Sequence, residues 1–208
     1  MFRSSLVLTT LALLFVCSCA NPASDKPQAV TNEAAPVAAS PVAAQGERYL
    51  VTPKNSKIEF VGSKVTGSHT GSFEKFSGAI DFNGRPETSR VSINIDTTSI
   101  TTDTPDLTKH LKSPDFFDVA KYPEATFVST EIKPGGEKGT HTVTGNLNLH
   151  GVTKSITFPA TIAVNPDAIT VDSTFSINRK EFGINFAGAA DNLIRDEVVL
   201  TLKVRGVK

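Results

Sequence analysis

The feature that most limits what this chain can fold into is an alternation of apolar and polar residues with a period of two, from Tyr49 to the C-terminus. Ile58 and Phe60 alternate with Lys57 and Glu59. Phe76, Gly78, Ile80 and Phe82 alternate with Lys75, Ser77, Ala79 and Asp81. Val91, Ile93 and Ile95 repeat the pattern, as do Val143, Gly145, Leu147 and Leu149. So do Ile156, Phe158, Ala160, Ile162 and Val164, then Val171, Ser173, Phe175 and Ile177, and finally Val198, Leu200, Leu202 and Val204. Phe127 sits in a Thr-rich run over residues 125–132, where the facing is ambiguous. Successive side chains of a strand point to opposite faces, so each run is a strand with one apolar face. Turn signals separate the runs: Asn83-Gly84, Pro134-Gly135-Gly136, His150-Gly151 and Asn165-Pro166-Asp167. About eight such strands must close into a barrel or stack as a sandwich to bury those faces.

One stretch departs from the period. Thr104-Pro105-Asp106-Leu107 carries the start signals of a helix: a capping hydroxyl, a proline at the first helical position and an acid in the first turn. Ser113-Pro114-Asp115 repeats them. Leu107 and Leu111 lie four apart and share a face, and Phe116 and Phe117 follow. The expectation is an all-β fold with one or two short helices inserted between strands, one of them covering an end.

Composition narrows the function. The charges balance, 21 basic against 21 acidic, so no net field exists to gather nucleic acid. There are 13 Phe against 2 Tyr and no Trp, and Phe is the aromatic without a polar handle, suited to an apolar interior. Both cysteines precede the strands, which leaves the folded region without a disulfide, a thiol nucleophile or a thiolate ligand. No two histidines have metal-site spacing, and no nucleophile elbow, phosphate loop or zinc-helix motif occurs. These absences predict a protein that binds without catalysis, metal or cofactor.

The N-terminus reads as an address. Arg3 precedes an apolar run from Leu6 to Val16, with small residues after it, which is the form of a secretory signal. Val16-Cys17-Ser18-Cys19 resembles a bacterial lipobox. Cys19 is favoured as the acylated residue because Ser18 fits the small position before it, and Cys17 is the alternative. Ala20 after it resembles outer-membrane sorting. Residues 20–47 are rich in Ala, Pro, Ser and Thr, with prolines at 22, 27, 36 and 41, and predict a flexible tether. The expected organisation is a signal peptide over 1–19, the tether over 20–47, and a barrel over 48–208. The expected location is the periplasm, with a lipid anchor in the outer membrane.

Five segments, in order, carry a resemblance to a known family: GSFEKFSGAIDF from Gly71, Ser99-Ile100-Thr101 ("SIT"), HLKSPDFFDVAKYPEATFVS from His110, GNLNLHGVTKSITF from Gly145, and INRKEFGI from Ile177. Together they resemble the YceI-like proteins, over nearly all of Tyr49 to Lys208. The block His110–Asp118 with Tyr122-Pro123 is the specific part. The resemblance implies an eight-stranded antiparallel lipocalin-like barrel, often dimeric, with a long apolar tunnel for polyisoprenoid or quinone-like lipids. The chain departs from it at Ser56, where many members carry a histidine before the first strand.

On that reading the tunnel-lining candidates are Phe60, Phe76, Ile80, Phe82, Phe116, Phe117, Phe127, Leu147, Leu149, Phe158, Phe175 and Phe182. The same inward row is also what a filled core looks like, so periodicity alone leaves a hollow and a solid barrel open. A solid one would be a structural or stress-response interaction protein with no bound lipid. His110, Lys112 and Arg179 are possible headgroup contacts. His110 also suits a helix end. Arg179 also suits a loop anchor paired with Asp196 or Glu197. His150 reads as a turn residue, and His69 and His141 as solvated.

Overall fold

In a computed structural model of the chain, the described residues are 21–36, 46–136 and 139–208. In chain order the strands are β1 (Val30–Glu33), β2 (Glu47–Val51), β3 (Lys57–Lys64), β4 (Gly67–Phe73), β5 (Phe76–Phe82), β6 (Arg90–Asp96) and β7 (Ile100–Thr102). Helix α1 (Pro105–Leu111) follows, then β8 (Glu124–Pro134), β9 (His141–Leu149), β10 (Val152–Asn165), β11 (Ala168–Asn178), β12 (Gly188–Ala189), β13 (Asn192–Leu193) and β14 (Glu197–Val207).

Eight strands close a ring. β10 pairs β9, then the order runs β8, β6, β5, β2, β14 and β11, which returns to β10, every pairing antiparallel. The alternating pattern therefore closes as a barrel and not as a sandwich. Above the short β2, the wall is continued by β3, β4 and β7, with β3 paired to residues 199–203 of β14. The β9–β10 hairpin turns at His150 and Gly151, both at positive φ (53° and 76°), the geometry of a two-residue primed turn. One end of the barrel is packed with buried side chains, among them Tyr49, whose hydroxyl donates to Glu47 at 2.9 Å and lies 3.4 Å from the Pro166 carbonyl in the β10–β11 turn.

Only the first of the two helix signals forms a helix. Pro105 takes the first turn and Asp106 follows, but Thr104 makes no capping bond with its side chain. The Thr108 hydroxyl instead bonds the Thr104 carbonyl and the Thr102 hydroxyl. Residues 113–117 form turns, closed by Phe116 and Asp118 amides donating to Ser113.

The tether expected over residues 20–47 is corrected in its first part. Residues 21–36 lie against the barrel, with Ala23 and Ala29 buried. β10 and β11 pair only over 161–165 and 168–172. Beyond that they diverge, and residues 27–33 fill the wedge. β1 pairs residues 154–157 of β10, while Ser176 of β11 exchanges backbone bonds with Pro27 and Ala29. Pro159 explains the divergence. Its carbonyl faces β11, where the Ser173 hydroxyl donates to it at 2.5 Å, so its missing N–H is lost on that same side. The strap then crosses onto β9, where the Asn146 side chain clamps both the amide (3.0 Å) and the carbonyl (2.6 Å) of Ala35. Composition suggested disorder because the segment has almost no apolar bulk. It is held by an open strand edge, which asks only for backbone groups. Cys17 and Cys19, with the rest of 1–20, lie outside the described residues.

Removing residues 21–36 should lower unfolding stability by on the order of 3 kcal/mol, from a handful of hydrogen bonds near 1 kcal/mol each. It should also promote association through the bared edges of β10 and β11. Urea denaturation and sedimentation velocity check this; an unchanged midpoint and a monomeric profile would show the strap to be incidental.

Candidate functional site: an apolar cavity inside the barrel

The barrel is hollow. A cavity of about 580 Å³ lies within it, inside the range of roughly 300–1,000 Å³ typical of small-molecule sites. Its wall is built from inward residues of nearly every strand: Ile58 and Phe60 of β3, Val91 and Ile93 of β6, Phe127 of β8, Leu147 and Leu149 of β9, Ile156 and Phe158 of β10, Phe175 and Ile177 of β11, and Leu200 and Leu202 of β14. A second, minor pocket at the closed end is lined by Ile80, Phe82, Ile132 and Val164 among others.

The aromatic rings line the wall instead of crossing the lumen, and two glycines permit this. Gly71 of β4 stands directly opposite Phe60 of β3, and Gly145 of β9 lies beside Phe127 of β8. In each case a β-carbon on the glycine would collide with the ring and with a neighbouring carbonyl. The rings therefore lie over bare backbone. Phe158 stacks on Phe175 at 4.2 Å between centroids and 8° between planes, with Phe127 at 5.8 Å from Phe158. A second group, Phe60, Phe73 and Phe117, packs at 5.9 and 5.8 Å.

The polar and part-exposed lining residues, Lys64, His69, Asn192 and Arg195, gather at one end with helix α1, and this end is the mouth. Leu107, His110 and Leu111 of α1, with Phe116, Phe117 and Phe186, form a partial lid. His110 stands edge-on to Phe116 and Phe186, each at 5.0 Å, and its Nε2 meets Asp115 at 2.9 Å. The loop over residues 179–195 forms the opposite rim. Arg179 pins it: Nε donates to the Arg195 carbonyl (3.1 Å), Nη1 to Ile184 (2.7 Å), and Nη2 to Ile194 (3.4 Å) and Asp196 (3.3 Å). Burial works to lower the guanidinium's pKa and Asp196 works against it; an arginine stays charged regardless.

Of the predicted lining, Phe60, Phe116, Phe117, Phe127, Leu147, Leu149, Phe158 and Phe175 face the main cavity. Phe76 and Phe182 are buried elsewhere, and Ile80 and Phe82 face only the minor pocket. All four were assigned by facing or by aromatic character, which do not say how far along the barrel a side chain sits. Among the headgroup candidates, His110 and Arg179 line the cavity and Lys112 does not. The donors of Arg179 are taken up by carbonyls and Asp196. Ser56 is buried, and its hydroxyl accepts from the Arg205 amide at 2.9 Å. His150 takes the turn expected of it. His69 and His141 are not simply solvated: His69 pairs with Asp103 at 2.9 Å, and the His141 ring, 13% exposed, lies 3.6 Å from Glu87. The wall residues that sequence reasoning passed over, such as Phe73, Ile184 and Phe186, lie outside clean alternating runs. Ser63 and Arg195 at the mouth carried no motif. Among the described residues no group of His, Cys, Asp or Glu is placed to hold a metal ion.

An antiparallel barrel closed at one end, lidded at the other and lined with hydrocarbon defines a class: barrels built around an internal apolar cavity. Residues 49–205 match the model of the YceI-like domain, and the chain belongs to that family. A UPF0312 protein of Pseudomonas putida (strain W619) is 40% identical over 145 residues, covering 66% of this chain and 73% of the relative. One of Pseudomonas syringae pv. tomato is 39% identical over 151 residues, covering 66% and 77%. Among solved structures, Burkholderia cenocepacia BcnA superposes with a TM-score of 0.63 at 29% identity, covering 74% of this chain and 98% of that one. A polyisoprenoid binding domain from Saccharophagus degradans, implicated in plant cell wall breakdown, gives 0.62 at 20% identity, covering 78% and 99%, and shares the fold.

Replacing Arg179 with Met keeps the stem and strands three carbonyls and Asp196. Stability should fall by about 2–4 kcal/mol, with faster amide hydrogen exchange across residues 184–195. Protection unchanged in that loop would refute the anchoring role.

Proposed function

We propose that this protein binds one long apolar lipid, a polyisoprenoid or isoprenoid quinone, inside the barrel without chemical change, for carriage or sequestration in the bacterial cell envelope. The observation that carries the reading is the continuous hydrocarbon-lined cavity. A filled barrel would leave no such space, so the alternative of a solid structural protein loses its support. An isoprenoid tail has almost no hydrogen-bonding groups, and its transfer from water is worth roughly 0.8 kcal/mol per CH₂, or about 3–4 kcal/mol per five-carbon unit before entropy costs. A few units account for tight binding through wall contacts alone. The name of the Saccharophagus degradans domain supports the ligand class. The lining that carries this reading is almost wholly hydrocarbon, which suits binding.

The location belongs to the same proposal. The lipobox-like Cys19 would carry an acyl anchor, placing the barrel at the periplasmic face of the outer membrane, and a homodimer is compatible with this arrangement. Cys19→Ser should move the protein from the membrane fraction to the soluble periplasm in a fractionation blot, whereas continued membrane association would discard the anchor or transfer it to Cys17.

Solvent extraction of the purified protein followed by mass spectrometry should yield a prenyl lipid near one equivalent. Leu147→Trp, which puts a large ring into the lumen, should reduce the bound lipid by about tenfold or more while costing about 1–3 kcal/mol by overpacking. An empty extract from wild type, even after isoprenoids are offered, would reject the reading.

A further inference from the structure

The wall of the cavity has a seam. From their turn, β10 and β11 stay paired only as far as Thr161 and Asp172. Near the mouth the two sides meet again, where the His150 ring places Nδ1 3.2 Å from the Phe182 carbonyl. Between these ties, residues 154–160 run without backbone pairing to β11, a slit roughly 20 Å long at about 3.3 Å per residue. Ile156 and Phe158 on one lip, and Phe175 and Ile177 on the other, line the cavity. The slit therefore opens onto the cavity, and residues 27–33 are what fills it.

This filling is held unlike the rest of the wall. Within residues 21–36 the buried apolar side chains are Ala23 and Ala29. The hold is otherwise polar: the pairing of β1 with β10, the Ala29 amide to Ser176 (2.8 Å), the Ser176 amide to Pro27 (2.9 Å) and the Asn146 clamp on Ala35. Lys154 adds an ion pair to Glu33, whose carboxylate is 90% exposed. Water replaces such bonds as a strand lifts away. The mouth is held by hydrocarbon, with Leu111 and Phe116 buried and Leu107, Phe117 and Phe186 packed on the core, and lifting that lid would bare leucines and rings. Segments with few buried apolar contacts open first. The strap is nonetheless an effective seal: Phe175, Ser176 and Ile177 are all buried, so both faces of β11 are covered there. It lies outside the residues 49–205 that match the YceI-like model.

We infer that residues 21–36 are a lateral gate: the strap lifts from the β10–β11 slit, a long apolar chain passes sideways into or out of the cavity, and the strap reseats over it. The inference rests on the proposed function. A slit admits a flexible chain along its length, whereas the lidded mouth requires it to thread end first.

The test uses the full-length chain with Cys17→Ser and Cys19→Ser, so that an added pair supplies the only thiols. Val30 and Thr157 are cross-strand partners, and Val30→Cys with Thr157→Cys bolts the strap to β10 when oxidised. The probe is all-trans-retinol, a fluorescent isoprenoid alcohol, followed by stopped flow on the oxidised and reduced forms of the same protein. Oxidation should slow association and dissociation alike by about tenfold or more and leave Kd within about twofold, because a gate changes the path and not the bound state. Asn146→Ala, which frees Ala35, should speed both rates by about fivefold or more. Equal rates in the oxidised and reduced forms overturn the gate, assign entry to the mouth and leave the lipid reading standing. A shifted Kd with an unchanged association rate makes the strap a piece of wall and overturns the gate as well. Failure of retinol to bind the reduced form overturns both.

Discussion

The contact on which the site depends is a phenyl ring packed against a glycine of the neighbouring strand. A small closed barrel is ordinarily just wide enough for its inward side chains to meet and fill it. Here Phe60 lies against Gly71 and Phe127 against Gly145. Each ring spends its volume along the wall, where it still excludes water from the backbone ladder, and the lumen stays empty. The stacked Phe158 and Phe175 continue the same device around the circumference. The chain thus keeps the dispersion contacts of an aromatic core while withholding its centre. Tyr49, Ile80 and Ile169 are buried at the end where these rings give out.

The second constraint is a missing donor. Pro159 cannot complete the ladder toward β11, the two strands part, and the wedge between them takes up residues 27–33. Barrels are stable in part because closure abolishes sheet edges. This one restores closure with a segment far away in sequence, fixed by Asn146 to Ala35 and by Lys154 to Glu33 at 2.6 Å. The wall that separates the cavity from solvent is therefore partly made of the strap over residues 27–33.

Much of the fold was legible because alternation is a strong signal when one face of each strand is buried. The β9–β10 hairpin, the glycine turns and helix α1 all follow from local chemistry that the residues carry themselves. The strap was not legible, since pairing with an open edge uses backbone groups that every residue has. Nor could the sequence decide between a hollow and a filled barrel. That question turns on Phe60 meeting Gly71 and Phe127 meeting Gly145, which are matters of register between strands. The same limit governed the site. Phe158 and Phe175 were placed correctly by facing, whereas Phe76, Ile80 and Phe82 share the inward face but lie away from the main lumen. Ser63 and Arg195 were invisible because a place at the mouth is set by how the strands and the loop over residues 179–195 come together, and neither carries a motif.

A protein that leaves its centre empty has given up part of its own cohesion, and whatever enters returns it. By mass action, an occupant present at one hundred times its dissociation constant adds about 2.7 kcal/mol to the folded state, comparable with the loss from a sizeable core truncation. The melting temperature of this barrel is then not a fixed attribute of its sequence. On the proposed function it is a gauge of ligand supply: high where the chains it takes are abundant, and low where they run short. Turnover by proteases that act on the opened chain would follow that gauge and tie the abundance of the protein to the abundance of its ligand.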